Sequence, residues 1–210
     1  MTIAETLRQT LFASRPEGSE ERRQAAANAA YISFFADINP MTSATLVGNI
    51  FDQVNKGATE IHLLFSTPGG MVDEGVAVYN VLRGLSVPLI THNVGSVNSI
   101  GNVIFLAGSH RRACPHATFM YHGVGFDCFT PTRFEEKNLR ERLGSIIADQ
   151  SKIGAIIGER TKLTKPEIEN LFLEAQTKDT VFGLDKGVIH EVAGVDLPPG
   201  TAPIQLVFQR

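Results

Sequence analysis

Residues 88–107 read Pro-Leu-Ile-Thr-His-Asn-Val-Gly-Ser-Val-Asn-Ser-Ile-Gly-Asn-Val-Ile-Phe-Leu-Ala. The segment Pro88 to Val94 has the composition of a buried strand, a turn follows, and a helix is expected from about Ser99 to Ala107. Strand, sharp turn and helix in that order form the unit of an α/β fold. Ser99 falls at the corner, with its hydroxyl at the helix N-terminus. The arrangement resembles a nucleophile elbow, although Val97 occupies the place of that motif's first glycine. A serine at such a corner most often caps the helix, so this segment alone leaves both readings open, and Ser96 competes for either role. As a nucleophile, Ser99 needs a base within hydrogen-bond reach and donors for an oxyanion. The N–H of Ile100, the next residue, is a natural donor.

The same unit precedes it. Glu60 to Phe65 reads as a strand, Ser66-Thr67-Pro68-Gly69-Gly70 as a sharp turn, and residues 71–84 as a helix. Adjacent glycines permit backbone conformations closed to other residues and let a substrate approach the main chain. The Gly70 N–H opens a helix, where donors are unpaired and the dipole favours negative charge. It is therefore a second oxyanion donor, although an ordinary strand-to-helix turn has the same composition. Further upstream, Tyr31 to Ala36 is a strand, Asn39-Pro40 breaks the chain, and residues 41–56 form a helix with Leu46, Ile50 and Val54 on one face. Residues 1–13 carry Ile3, Leu7 and Leu11 at helical spacing, and residues 14–24 read as a polar loop.

Downstream, strand segments are expected at 111–114 and 117–122, the second ending in His122-Gly123. A histidine at a strand end can reach a neighbouring loop, and it is the side chain best suited to accept a serine proton near neutral pH. A lone histidine is more often a satisfied, half-buried one. A long helix follows over 132–160, charged in its first half and apolar in its second, where Ile146, Ile147, Ile153, Ile156 and Ile157 require burial within the subunit or between subunits. Thr164 and Glu167 have capping-box spacing, with Pro166 in the first turn of the helix they open. The tail after Leu197 is rich in proline and glycine.

At 210 residues the chain suits a single well-buried core. Apolar residues make up 43% and charged residues 20%, as in a soluble globular protein, and a net charge of −3 argues against a nucleic-acid surface. Cys114 and Cys128 are the only cysteines, which points to a reduced, cytoplasmic chain. Residues 1–30 show no apolar run after a basic start, and stretches such as Val103 to Gly108 fall far short of a membrane span. His110, His116 and His122 fit no common zinc spacing. No metal or cofactor is expected, and His62, His92 and His190 are given no functional role.

Together these segments resemble the ClpP family, the proteolytic subunits of ATP-dependent Clp proteases. The family turn Ser-Pro-Gly-Gly stands here as Thr67-Pro68-Gly69-Gly70. Its serine signature is matched by Thr91, Val94, Gly95 and Ser99, with Ile100-Gly101 where Met-Gly is frequent, and Leu106-Ala107-Gly108 matches as well. Its histidine signature is matched by Arg111, Pro115, Phe119-Met120-Tyr121 and His122. The resemblance runs over residues 31–192. There are departures. Asn98 precedes the serine, Val97 replaces the usual alanine, and Gly123-Val124 replaces Gln-Pro after the histidine. The family aspartate lies about twelve residues before the glycine of a Gly-(Leu/Ile)-(Val/Ile) strand start; here that glycine is Gly187, and the count lands on Ala175. Glu174 and Asp179 are the nearby carboxylates, with Glu174 slightly favoured as the triad's third member.

The resemblance implies a ClpP/crotonase-like spiral of ββα units with a protruding handle helix at 132–160. It divides the chain into an N-terminal extension (1–30), a peptidase domain (31–196) and a C-terminal tail (197–210). It implies a serine endopeptidase with Ser99 as nucleophile, His122 as base, and Gly70 and Ile100 as the oxyanion hole. Assembly as a homo-oligomeric ring acting on peptides or unfolded proteins goes with this, and so does an AAA+ unfoldase as partner class, although both chain ends depart from the family pattern. The alternatives are an inactive structural ring subunit and a crotonase-fold acyl-CoA enzyme, which would not require a serine–histidine pair. A serine–lysine peptidase is disfavoured, because no lysine falls in the matching segments.

Overall fold

The protein is described here from a computed structural model covering residues 28–128 and 130–208. The expected helix at 1–13 and loop at 14–24 lie outside the described residues. In chain order the elements are β1 (Ala29–Phe35), α1 (Pro40–Asn55), β2 (Glu60–Thr67), α2 (Val72–Arg83), β3 (Leu89–Asn98), α3 (Gly101–Phe105), β4 (His110–Ala113), β5 (Thr118–Met120), α4 (Glu136–Arg160), α5 (Lys165–Glu174), β6 (Thr177–Lys178), α6 (Thr180–Asp185), β7 (Glu191–Val192) and β8 (Ile204–Gln205).

The breaks and caps inferred from sequence take specific forms. At Asn39-Pro40, the Asn39 carboxamide accepts from the Thr42 N–H and the Thr42 hydroxyl accepts from the Asn39 N–H, each at 3.0 Å. This reciprocal cap, with Pro40 at the first helical position, starts α1. The box at Thr164–Glu167 starts α5 in the same way. There the Glu167 carboxylate also accepts from Lys186 at 2.8 Å, and these partners, Lys186 foremost, hold its pKa down to about 2.

The strands form one sheet in the order β6-β5-β3-β2-β1-β8, with β4 on the first half of β3 and β7 on β4. Every pairing is parallel except β5–β6. On one set of alternating positions, Ile32, Phe34, Ile61, Leu63, Phe65, Leu89 and Val97 form a fully buried core with Leu46, Ile50, Val78, Leu82, Val103 and Ile104 of the first three helices. Burying each such side chain contributes about 1.5–3 kcal/mol. The other set mixes apolar Leu64 and Ile90 with buried histidines. Tyr31 stacks on His62 with centroids 4.4 Å apart, and the His62 ring bonds His92 at 2.9 Å and Glu60 at 2.6 Å.

β3 runs four residues beyond the expected strand end at Val94. Its partners on β2 step from Phe65↔Asn93 to Thr67↔Val97, so β3 carries a bulge around Gly95. The Ser66 hydroxyl fills the gap, donating to the Ser96 carbonyl at 3.1 Å and accepting from the Ser96 N–H at 3.3 Å. Beyond the bulge, β3 leaves β4 and takes β5 as its neighbour. The expected turn at Gly95-Ser96 is therefore a strand irregularity, and the true corner lies at Ser99.

Arg111, which opens the histidine signature, is 4% exposed. Its guanidinium donates to the carbonyls of Val188 (2.7 Å), Gly187 (2.8 Å), Arg160 (3.1 Å) and Gly108 (3.3 Å). It thereby ties the start of β4 to the end of α4 and to the segment before β7. Desolvation, reinforced by the charges of Arg160 and Arg83, lowers its pKa to about 10. α4 starts at Glu136, so residues 132–135 belong to the preceding loop. Within it Ile153 and Ile157 are buried, while Leu139, Leu143 and Ile147 are 50%, 56% and 57% exposed.

Candidate active site

The site forms where β3, β5 and the Gly69-Gly70 turn meet. The parallel register pairs Asn98 with Met120, so Ser99 comes to lie beside Tyr121, one residue short of His122. Ser99 has φ 56°, in the left-handed region that non-glycine residues avoid. Two anchors hold that strained corner. The Ser99 N–H donates to the Met120 carbonyl at 2.8 Å. The side-chain amide of Asn102, itself 1% exposed, donates to the carbonyls of Ser99 (3.0 Å) and Met120 (2.9 Å). Asn102 thus ties the serine corner directly to the end of β5, two residues before His122, which lies beyond the strand and not within it as the sequence suggested.

The glycine turn approaches from the other side. Gly69 and Gly70 have φ values of 100° and 150°. A Cβ on Gly69 would lie 2.7 Å from the Ser99 Cβ, and one on Gly70 would lie 2.1 Å from the Ile38 carbonyl oxygen. The turn is stitched to the end of the β1 segment by Ile38 N–H to Gly69 O and Met71 N–H to Ile38 O, both 2.8 Å. These bonds bypass the Gly70 N–H. Among the described residues, neither the Gly70 nor the Ile100 N–H has a hydrogen-bond partner.

Gly70, Ser99, Ile100 and His122 line one cavity of about 270 Å³, whose apolar wall includes Val72, Val124, Phe126, Ile153, Ile157 and Phe172. The His122 ring is exposed, and its Nδ1 lies 2.7 Å from the Gly123 carbonyl oxygen. Among the described residues, no hydrogen bond joins Ser99 to His122. Ser96, the competing serine, is engaged through its backbone with Ser66 and does not line the cavity.

The two carboxylates named from sequence are not brought into this cavity. Glu174 ends α5, where its carboxylate accepts from the Gln176 side-chain amide. Asp179 caps α6, accepting from the Phe182 N–H at 3.0 Å. The antiparallel β5–β6 register pairs Met120 with Thr177, and Tyr121 N–H donates to Gln176 O at 3.1 Å. Ala175, one step further, is the left-handed C-cap of α5 (φ 49°), and the count back from Gly187 lands on it. The carboxylate that does line the cavity is Asp127, in the loop after His122. Neither Asp127 nor Asn102 stood out in the sequence. Asn102 lies one helical turn beyond Ser99, but its role depends on β5, which is remote in sequence.

The profile of the Clp protease family matches residues 17–194, most of the chain. This chain belongs to the Clp protease family. Among solved structures, a mutant of ClpP1 from Listeria monocytogenes superposes with a TM-score of 0.69 at 16% identity, covering 81% of this chain and 94% of that one. The likeness shows that this family member has the ClpP fold. Among the described residues, no helix is long and apolar enough to cross a membrane.

Proposed function

We propose that this Clp protease family member is a serine endopeptidase subunit, with Ser99 as nucleophile and His122 as general base. The observation that carries this reading is Ser99 itself: a non-glycine residue held at φ 56° on the wall of a cavity shared with an exposed histidine. Backbone strain of this kind costs about 1–3 kcal/mol and gathers at functional sites. The Ser99 oxygen attacks the carbonyl carbon of a bound peptide while its proton passes to His122. The Gly70 and Ile100 N–H groups receive the resulting oxyanion. When the tetrahedral intermediate collapses, the C–N bond breaks and His122 returns the proton to the leaving amine. Water, deprotonated by the same histidine, then hydrolyses the acyl-serine ester and frees the enzyme.

A ring oligomer is part of the proposal. Leu139, Leu143 and Ile147 lie four residues apart along α4 and are each at least half exposed, an apolar stripe suited to cover by another subunit. Light scattering is expected to show an assembly well above 22.8 kDa at micromolar concentration, and a stable monomer refutes this part. One observation favours a second reading, an inactive ring subunit: the family's aspartate position falls on Ala175, which has no carboxylate, and neither Glu174 nor Asp179 lines the cavity. A fluorophosphonate or β-lactone probe separates the two. Labelling of the wild-type protein that disappears in Ser99→Ala supports the peptidase. Labelling that persists in Ser99→Ala, or that never occurs in the folded wild type, rejects it.

A further inference from the structure

We propose that His122 works without a carboxylate, its reactive tautomer being held by the backbone carbonyl of Gly123. This inference rests on the peptidase reading of Ser99 and His122 and specifies how the base is oriented. A neutral imidazole has one N–H and one acceptor nitrogen, and the partner of the first decides the identity of the second. A carbonyl oxygen can only accept. The 2.7 Å contact between Nδ1 and Gly123 O therefore places the proton on Nδ1 and leaves Nε2 free to take the serine proton. This is the tautomer that a triad carboxylate normally selects.

The rest of the surroundings agrees. The family's aspartate position falls on Ala175, Asp179 is occupied as the cap of α6, and Glu174 bonds Gln176 outside the cavity. The loop carrying the carbonyl is itself held in place. The Gly123 N–H donates to Phe172 O at 2.9 Å, and the Val124 N–H donates to the Gln150 side chain at 3.1 Å. Both strap Gly123 to α5 and α4. The ionisable groups lining the cavity beside His122 are Tyr121 and Asp127. α2, α4 and α5 contribute only Val72, Ile153, Ile157 and Phe172. Burial pushes the Tyr121 phenol well above its ordinary range, so it stays neutral. Asp127 makes no hydrogen bond to His122 and is the rival candidate.

The test combines ¹⁵N NMR of the imidazole with the kinetics of four variants in the full-length protein. The neutral His122 ring is expected as the Nδ1–H tautomer, whereas an unconstrained imidazole favours Nε2–H. Asp127→Asn, Glu174→Gln and Asp179→Asn are each expected to keep turnover within about threefold, since loss of a true triad carboxylate costs roughly 10⁴-fold. Asparagine caps a helix as well as aspartate, so Asp179→Asn leaves α6 intact. Ala175→Asp supplies the missing anion at a left-handed position (φ 49°) that aspartate tolerates better than alanine. It is expected to raise turnover and to move the acid limb of the pH–rate profile upward by roughly one unit. An Nε2–H tautomer, a loss of about 100-fold or more in any of the three carboxylate variants, or an Ala175→Asp profile identical to wild type each overturns the proposal. If the wild type shows the Nδ1–H tautomer but Ser99 never labels, the peptidase reading has failed and the Gly123 contact stands apart from it.

Discussion

Arg111 and Ser99 begin neighbouring segments of the same sheet region and treat hydrogen bonding in opposite ways. The Arg111 guanidinium is buried, and its donors are spent on four main-chain carbonyls from three separate stretches of chain. Around Ser99 the reverse holds. Among the described residues, the serine hydroxyl and the Gly70 and Ile100 N–H groups have no hydrogen-bond partner, and the backbone is strained, yet the same corner is pinned from behind by Asn102 and Met120. Buried polar groups that are fully paired hold a structure together. Groups left unpaired at the wall of a cavity are available to a ligand. The family signatures contain both kinds, so a matching residue can be structural or chemical, and only its hydrogen-bond partners distinguish the two.

The sharpest way to break that contrast is at Ser99. Ser99→Ala is expected to lower peptide turnover by about 10⁶-fold with the fold retained. Ser99→Gly should be equally inactive yet more stable than Ser99→Ala by about 1 kcal/mol, because glycine accepts φ 56° without a Cβ clash. Equal melting temperatures for the two variants would remove the strain from the account. Arg111→Met should act the other way. It strands buried carbonyls and is expected to cost at least about 3 kcal/mol in urea denaturation, while the protein that remains folded still labels at Ser99. Asn102→Ala lies between the two. It loosens the link from the serine corner to β5 and is expected to reduce kcat by about 10- to 100-fold with KM little changed. An equal fall in probe labelling and in stability would make Asn102 merely structural.

The smallest effect belongs to the face of the sheet that carries the buried histidines. Burial, with His62, Arg112 and His110 nearby, lowers the pKa of His92 from an ordinary 6.5 to about 3; burial and Arg111 lower His190 to about 4. Below about pH 6.5 the unfolded chain takes up protons that the folded chain refuses. Stability should therefore be level above that pH and fall as the pH drops toward 3–4, by at most about 1.4 kcal/mol per unit for His92. Urea midpoints at pH 7.5, 5.5 and 4.5 measure the slope, and His92→Gln should flatten it.

The sequence carried the family, and it named Gly70, Ser99, Ile100 and His122, which line one cavity, because its three motifs are local and ordered. Thr67 to Gly70, Thr91 to Ser99 and Arg111 to His122 each place one wall of the cavity, and counting back from Gly187 landed on Ala175, a residue with no carboxylate. Pairings between remote segments were not legible. Gly95-Ser96 has the composition of a turn, and only the hydroxyl of Ser66, thirty residues away, makes it a bulge within a continuing strand. Asn102 reads as an ordinary helical residue until β5 is beside it. The carbonyl of Gly123 has no side chain to announce it.

The pairing of β8 with β1 bears on how the chain reaches this state. Ile204 pairs with Ile32, and the Ser33 hydroxyl meets the Ile204 carbonyl across 171 residues. Pairing of segments so remote in sequence raises the contact order, which slows folding. Until the pairing forms, the outer edge of β1 presents free main-chain groups to any extended segment it meets. β8 thus covers the β1 edge at Ile32 and Ser33, the part of that edge an extended segment could otherwise pair with.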